Sequence, residues 1–340
     1  MRMPEPGGAA LALGKDAAAT LATEIPVLGI PTRFATNSAA ALRVVEEAFG
    51  AWRTLPDSLI APGPPLSVRL AVGVGAARAA DATVRHLVPG DGRLLIHARG
   101  AVGVSDPRRG EAMAAVSPEL LADTRLFRSE VLEAMTWALL TRRDRQPLHA
   151  AGLARNGAGL LLCGATGTGK STLAYAAARS GVPLLAEDMV FVESVNRLRV
   201  WGKPAAFHLL PHALTHFPEL AEEGPTTLRG GRSKRVVSPP GSGAALAAPP
   251  VVDACGLCVL GPRRRVPEWR PLEWREAVSL IDLNAAGFDV FAASIVPAVE
   301  RLADRGAWLL HPSDDPHAAL PALLAMLGQV AAAPGSAEVT

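Results

Sequence analysis

The run Gly164-Ala165-Thr166-Gly167-Thr168-Gly169-Lys170-Ser171 constrains this chain more than any other feature. It matches G-x-x-x-x-G-K-[ST] at every fixed position. The preceding GAGLLLCG reads as a fully buried strand, and KSTLAYAAARSG as a helix closed by Gly181. A glycine-rich turn between such elements curls so that successive N–H groups face phosphate oxygens, with the positive end of the helix behind them. The pattern predicts an ATP site formed by residues Gly164 to Ser171 together with Thr172. Lys170 is expected to reach the β and γ phosphates, and the Ser171 hydroxyl to hold Mg²⁺.

An acidic pair, Glu187 and Asp188, follows Lys170 by 17 and 18 residues, after the apolar run VPLL. VPLLAEDMVFVES reads as the strand following the helix, giving strand, helix and strand in β-α-β order. Neighbours on a strand diverge, so one acid is free to coordinate Mg²⁺ while the other faces a substrate hydroxyl, a division that phosphoryl transfer needs. His149, in PLHAAGL, stands on a short strand expected beside the phosphate-loop strand. Only four of the 34 basic residues are lysines, namely Lys15, Lys170, Lys203 and Lys234. Lysine in an arginine-rich chain marks places where a compact ammonium is wanted.

The remaining sequence sets the organisation. Residues 1–24 read as a disordered tail and 25–125 as a small α/β domain, with Asn37 as a helix cap. Residues 126–146 read as a connecting helix, 147–330 as the phosphate-loop domain, and 331–340 as a tail. The segment from Gly224 to Pro250, with Arg229, Arg232, Lys234 and Arg235, reads as a long exposed loop able to close over ATP or dock an acidic stretch of an acceptor. Cys255 and Cys258 form a C-x-x-C inside the strand-like VVDACGLCVL; residues three apart on a strand face opposite sides, so they read as core, as does Cys163.

A net charge of +2 spread over scattered arginines gives no nucleic-acid-binding face. The sequence offers neither the uninterrupted apolar run of a membrane span nor the apolar core of a signal peptide. It reads as a cytoplasmic protein without a membrane partner, and homo-oligomerisation is compatible with it.

From Pro147 through Glu193 the chain resembles the catalytic core of HPr kinase/phosphorylase and related proteins: a His before the phosphate loop, the loop, a helix ending at Gly, and an acidic pair. The resemblance implies a P-loop kinase domain of the HPr kinase C-terminal type, behind a smaller N-terminal α/β domain. It also implies that His149 lies near the transferred phosphate, that Glu187 takes the place of the catalytic aspartate, and that Asp188 takes that of its neighbour. With Ser171 and Asp188 on the metal and Glu187 as base, the expected activity is ATP-dependent phosphorylation of a hydroxyl, in a protein or peptide serine or a small molecule. The alternative is a nucleotide-binding regulatory module with little turnover. The bifunctional enzymes carry Asp where this chain has Glu187, and SLIDLNAAGFDVF lacks the arginines of their basic signature. Pyrophosphate-linked dephosphorylation and HPr as substrate are therefore not part of the expectation.

Overall fold

A computed structural model describes residues 19–73, 84–87, 92–98, 100–203, 206–220, 226–229, 232–238, 250–281 and 292–333. It is a mixed α/β protein with two compact units, Met1–Arg145 and Gln146–Thr340. No helix among the described residues is long and apolar enough to cross a membrane.

The first unit is built on one seven-stranded sheet. Its strands are β1 (Leu21–Val27), β2 (Ile30–Thr36), β3 (Leu66–Val72), β4 (Val84–Leu87), β5 (Leu94–Ala98), β6 (Ala101–Asp106) and β7 (Glu111–Val116), in the order β1-β2-β3-β7-β6-β5-β4. Strict alternation decides which face is buried, as in β2, where Ile30, Thr32, Phe34 and Thr36 point inward. Helix α1 (Ala39–Phe49) starts at Ser38, whose Oγ accepts from the Ala41 N–H at 3.3 Å. Asn37, the cap expected from sequence, instead exchanges two 2.8 Å hydrogen bonds with the Val72 backbone and so ties β3 to the helix entrance.

Of the segment 126–146, expected as a connector, residues 126–145 belong to the first unit. A π-helical turn, Phe127–Glu133, runs into helix α2 (Ala134–Thr141), which packs on β6 and β7. Trp137 stands edge-on to Phe49 and to Trp52, with ring centroids 5.4 and 6.3 Å apart. Strand β1 begins at Leu21, within the stretch expected as tail; residues 1–18 and 334–340 lie outside the described residues.

The second unit centres on a six-stranded sheet ordered β11-β9-β10-β18-β20-β19. Its members are β9 (Ala151–Arg155), β10 (Ala158–Cys163), β11 (Leu184–Ala186), β18 (Ala254–Leu260), β19 (Glu268–Pro271) and β20 (Ala307–His311). A second sheet joins β8 (Gln146–Leu148), β12 (Val190–Glu193), β13 (Arg199–Gly202) and β17 (Val251–Val252). A third joins β14 (Phe207–Leu209), β15 (Thr226–Arg229) and β16 (Arg232–Val237).

Strands β10, β18 and β20 run parallel, whereas β9 is antiparallel to both β10 and β11. Helix α3 (Lys170–Arg179) therefore links two strands of the same direction, β10 and β11, with β9 between them. Helices α4 (Trp274–Leu280), α5 (Ala292–Ala303) and α6 (Leu320–Ala332) complete the unit.

Each face of the central sheet covers its own apolar cluster. One holds Leu160, Leu162 and Cys258 with Leu173, Tyr175 and Met326; the other holds Leu161, Cys163 and Cys255 with Val190, Val200 and Val299. Cys255 and Cys258 thus face opposite ways, as their spacing on a strand requires. Burial pushes both thiols up, and that of Cys163 to about 12 against the lowering effect of nearby Lys170. Thiols on opposite faces of one sheet cannot share a single metal ion.

Candidate functional site

The chain emerges from three parallel strands and β11 at one end of the central sheet, and the candidate residues lie there. After β10 the loop turns through Gly164, Gly167 and Gly169, at φ of 140°, 93° and 104°, a region in which a side chain would be strained. A Cβ on Gly164 would also stand 3.2 Å from the Leu260 carbonyl oxygen of neighbouring β18. Within the loop, the Thr168 hydroxyl donates to the Ala165 oxygen at 2.9 Å. Helix α3 begins on the left-handed Gly169, with its first full-turn bond from Leu173 N–H to the Gly169 oxygen at 2.9 Å. Its alanine-rich sequence favours helix, and Gly181 at φ 84° ends it.

Lys170 is 7% exposed, yet its ammonium donates to the Gly164 oxygen at 2.7 Å and the Ala165 oxygen at 3.2 Å. These carbonyls offset part of the desolvation a buried cation suffers. The charge therefore sits at the base of the glycine loop. On the next residue, the Ser171 hydroxyl donates to Glu187 Oε1 at 2.6 Å.

Glu187 and Asp188 are not on a strand. They occupy a bend between β11 and β12, where the chain leaves the central sheet for the second one. The two side chains diverge. Glu187, its side chain 1% exposed, faces Ser171, and its Oε2 lies 3.3 Å from His208 Nδ1. Asp188, 21% exposed, has its Oδ1 3.4 Å from His149 Nδ1, which also lies 3.0 Å from the Asp188 carbonyl oxygen. Among the described residues no group of three or more His, Cys, Asp or Glu is placed to hold a metal by itself.

Two residues at this end of the sheet escape sequence reading. His208 sits in FHLL, where strand alternation between buried Phe207 and Leu209 is the available signal that it faces away from the core. Arg263 follows β18, and its Nη2 comes within 3.9 Å of where a Cβ on Gly169 would stand. It also pairs with Asp314 at 3.2 Å.

The stretch 224–250 contains regular structure that sequence reading did not assign. β15 and β16 form an antiparallel hairpin carrying Arg229, Arg232, Lys234 and Arg235, and β16 pairs with β14 so that Val236 lies opposite His208. Residues 224–225, 230–231 and 239–249 of this stretch lie outside the described residues, as do 282–291 of SLIDLNAAGFDVF.

The second unit is thus a mixed α/β body with a glycine loop, a buried lysine and two carboxylates gathered at one end of a sheet. No family profile matches the chain, and no characterised protein matches it at significant similarity. Among solved structures, the HPr(Ser) kinase/phosphatase from Coxiella burnetii is 18% identical, over 37% of this chain and 77% of that one, with a TM-score of 0.24. At that score the likeness carries no inference about this chain.

Proposed function

We propose that the second unit is an ATP-dependent kinase of the HPr-kinase-like kind, transferring the γ-phosphoryl group to a hydroxyl, best read as a serine of a protein or peptide. The observation that carries this reading is the 2.6 Å contact between the Ser171 hydroxyl and Glu187 beside the buried Lys170 of the glycine loop. The donor set suits Mg-ATP: glycines and a helix start for phosphate, one lysine, and a hydroxyl next to a carboxylate for a hard cation.

Ser171 and Glu187 would hold Mg²⁺, which supplies charge neutralisation at the β and γ phosphates. Lys170 adds its ammonium to the same oxygens. Asp188 is the more open acid, at 21% against 1% exposure, and so the better placed to meet an incoming acceptor. It takes the hydroxyl proton, the freed oxygen bonds to the γ phosphorus, and the bond to the β–γ bridging oxygen breaks to release ADP. His149 orients the Asp188 carboxylate. These roles reverse the sequence-based division in which Asp188 served the metal and Glu187 the proton. Lys234, on the hairpin strand paired with His208's strand, would provide positive charge for an acidic acceptor segment.

The test is labelled-ATP turnover with candidate peptides, proteins and small molecules. Glu187→Gln should raise the Mg²⁺ requirement, whereas Asp188→Asn should leave nucleotide affinity nearly intact and slow transfer by ~10² or more. Tight ATP binding with no transfer to any acceptor class would favour a regulatory module instead.

A further inference from the structure

We infer that His208 is a positioning residue that holds the Glu187 carboxylate turned toward the Ser171 hydroxyl. Two observations and one chemical argument lead there. The Glu187 side chain is 1% exposed, so its carboxylate must be solvated by donors of the protein. Ser171 serves Oε1 at 2.6 Å, and His208 Nδ1 faces Oε2 at 3.3 Å. An ionised carboxylate accepts only, so this contact requires the tautomer or charge state with a proton on Nδ1.

The second observation is that His208 is aimed by packing. It lies on β14 between Phe207 and Leu209, each 0% exposed, and strand alternation sends its imidazole to the other side. The Phe207 ring stands edge-on to Tyr175 of α3, with centroids 5.0 Å apart and planes at 86°. The strand that carries His208 is thereby fixed against the helix whose first residues are Lys170 and Ser171.

Third, the two donors are not equivalent once the site is used. A Ser171 hydroxyl whose oxygen is engaged by a cation turns its proton away from that ligand and must find a new acceptor geometry. The Nδ1–H of His208 lies on the far side of the carboxylate and keeps its hold. The consequence for metal binding rests on the kinase reading, but the positioning itself does not.

Two measurements on the full chain test this. Nitrogen-15 spectra of the histidine side chains, recorded without ligand, should show one imidazole protonated at Nδ1 whose signal vanishes in H208N and moves in E187Q. Mn²⁺ binding in the presence of a non-hydrolysable ATP analogue, followed by electron paramagnetic resonance, should weaken about tenfold in H208A. The affinity of metal-free analogue should stay as in the wild type. H208N, whose amide can donate from nearly the same place, should restore Mn²⁺ binding to within about threefold of the wild type. An Nδ1 signal indifferent to E187Q, wild-type Mn²⁺ binding in H208A, or an H208N protein as weak as H208A would each overturn the inference. A wild-type protein that binds no analogue would sink the kinase reading, while the ligand-free spectra still decide the role of His208.

Discussion

A buried ammonium hydrogen-bonded to neutral carbonyls of its own loop gains if an anion takes their place. Lys170 is in that position, 7% exposed and bonded to the Gly164 and Ala165 oxygens. Phosphate oxygens are better partners for it than neutral carbonyls, because both members of the pair are then charged. Lys170→Ala and Ser171→Ala should each lower phosphotransfer by ~10² or more, with circular dichroism unchanged. The three cysteines lack this kind of tension. Burial raises their pKa values, that of Cys163 to about 12, so in native protein at pH 8, within ~10 minutes, iodoacetamide should label none of them, and in denaturant all three. Labelling of the folded protein, read by mass spectrometry, would contradict their placement in the core. At this scale the glycine loop and Lys170 were legible in the sequence because their spacing is the signal. His208 was not, since a lone histidine in a short strand carries no spacing, and its role appears only when β14 is docked on α3.

Elements position the acidic pair through contacts that no local pattern encodes. The apolar run before Glu187 reads as one continuous strand, but β11 ends at Ala186 and the chain bends into a different sheet at β12. Periodicity cannot distinguish one long buried strand from two short ones in different sheets, because both are apolar throughout. The bend is held from outside: a Cβ on Gly202 of β13 would fall 2.0 Å from the Leu185 carbonyl oxygen, so only glycine lets β13 pass this close to β11. Gly202→Ala must push backbone against backbone two residues before Glu187. It should cost about 2 kcal/mol or more in urea unfolding and reduce turnover beyond what the lost stability explains. A protein as stable and active as the wild type would mean that this crossing does not hold the acids. The same limit of local reading accounts for the hairpin at 226–237, whose strands are recognisable only through pairing with the distant β14.

At the scale of the molecule, the chain divides between Arg145 and Gln146. The helical stretch 126–145 looks like a connector because it is apolar and stands between two sets of strands. Its tryptophan and its packing on β6 and β7 make it part of the first unit, which runs to Arg145; there the guanidinium donates to the Leu28 oxygen at 2.9 Å. Both apolar clusters that sandwich the central sheet lie wholly within residues 146–340. A protein of residues 146–340 alone should therefore unfold cooperatively and keep its nucleotide affinity, measured by calorimetric titration; loss of cooperative unfolding would show that the unit needs the first 145 residues. The proposed kinase activity requires the glycine loop to be a Mg-ATP site. Calorimetric titration of the full chain with ATP, with and without Mg²⁺, tests this most directly when run beside Lys170→Ala. The account predicts saturable binding that is tighter with Mg²⁺ and about tenfold or more weaker in the variant. No heat of binding at millimolar ATP, or equal affinity in wild type and Lys170→Ala, would contradict it.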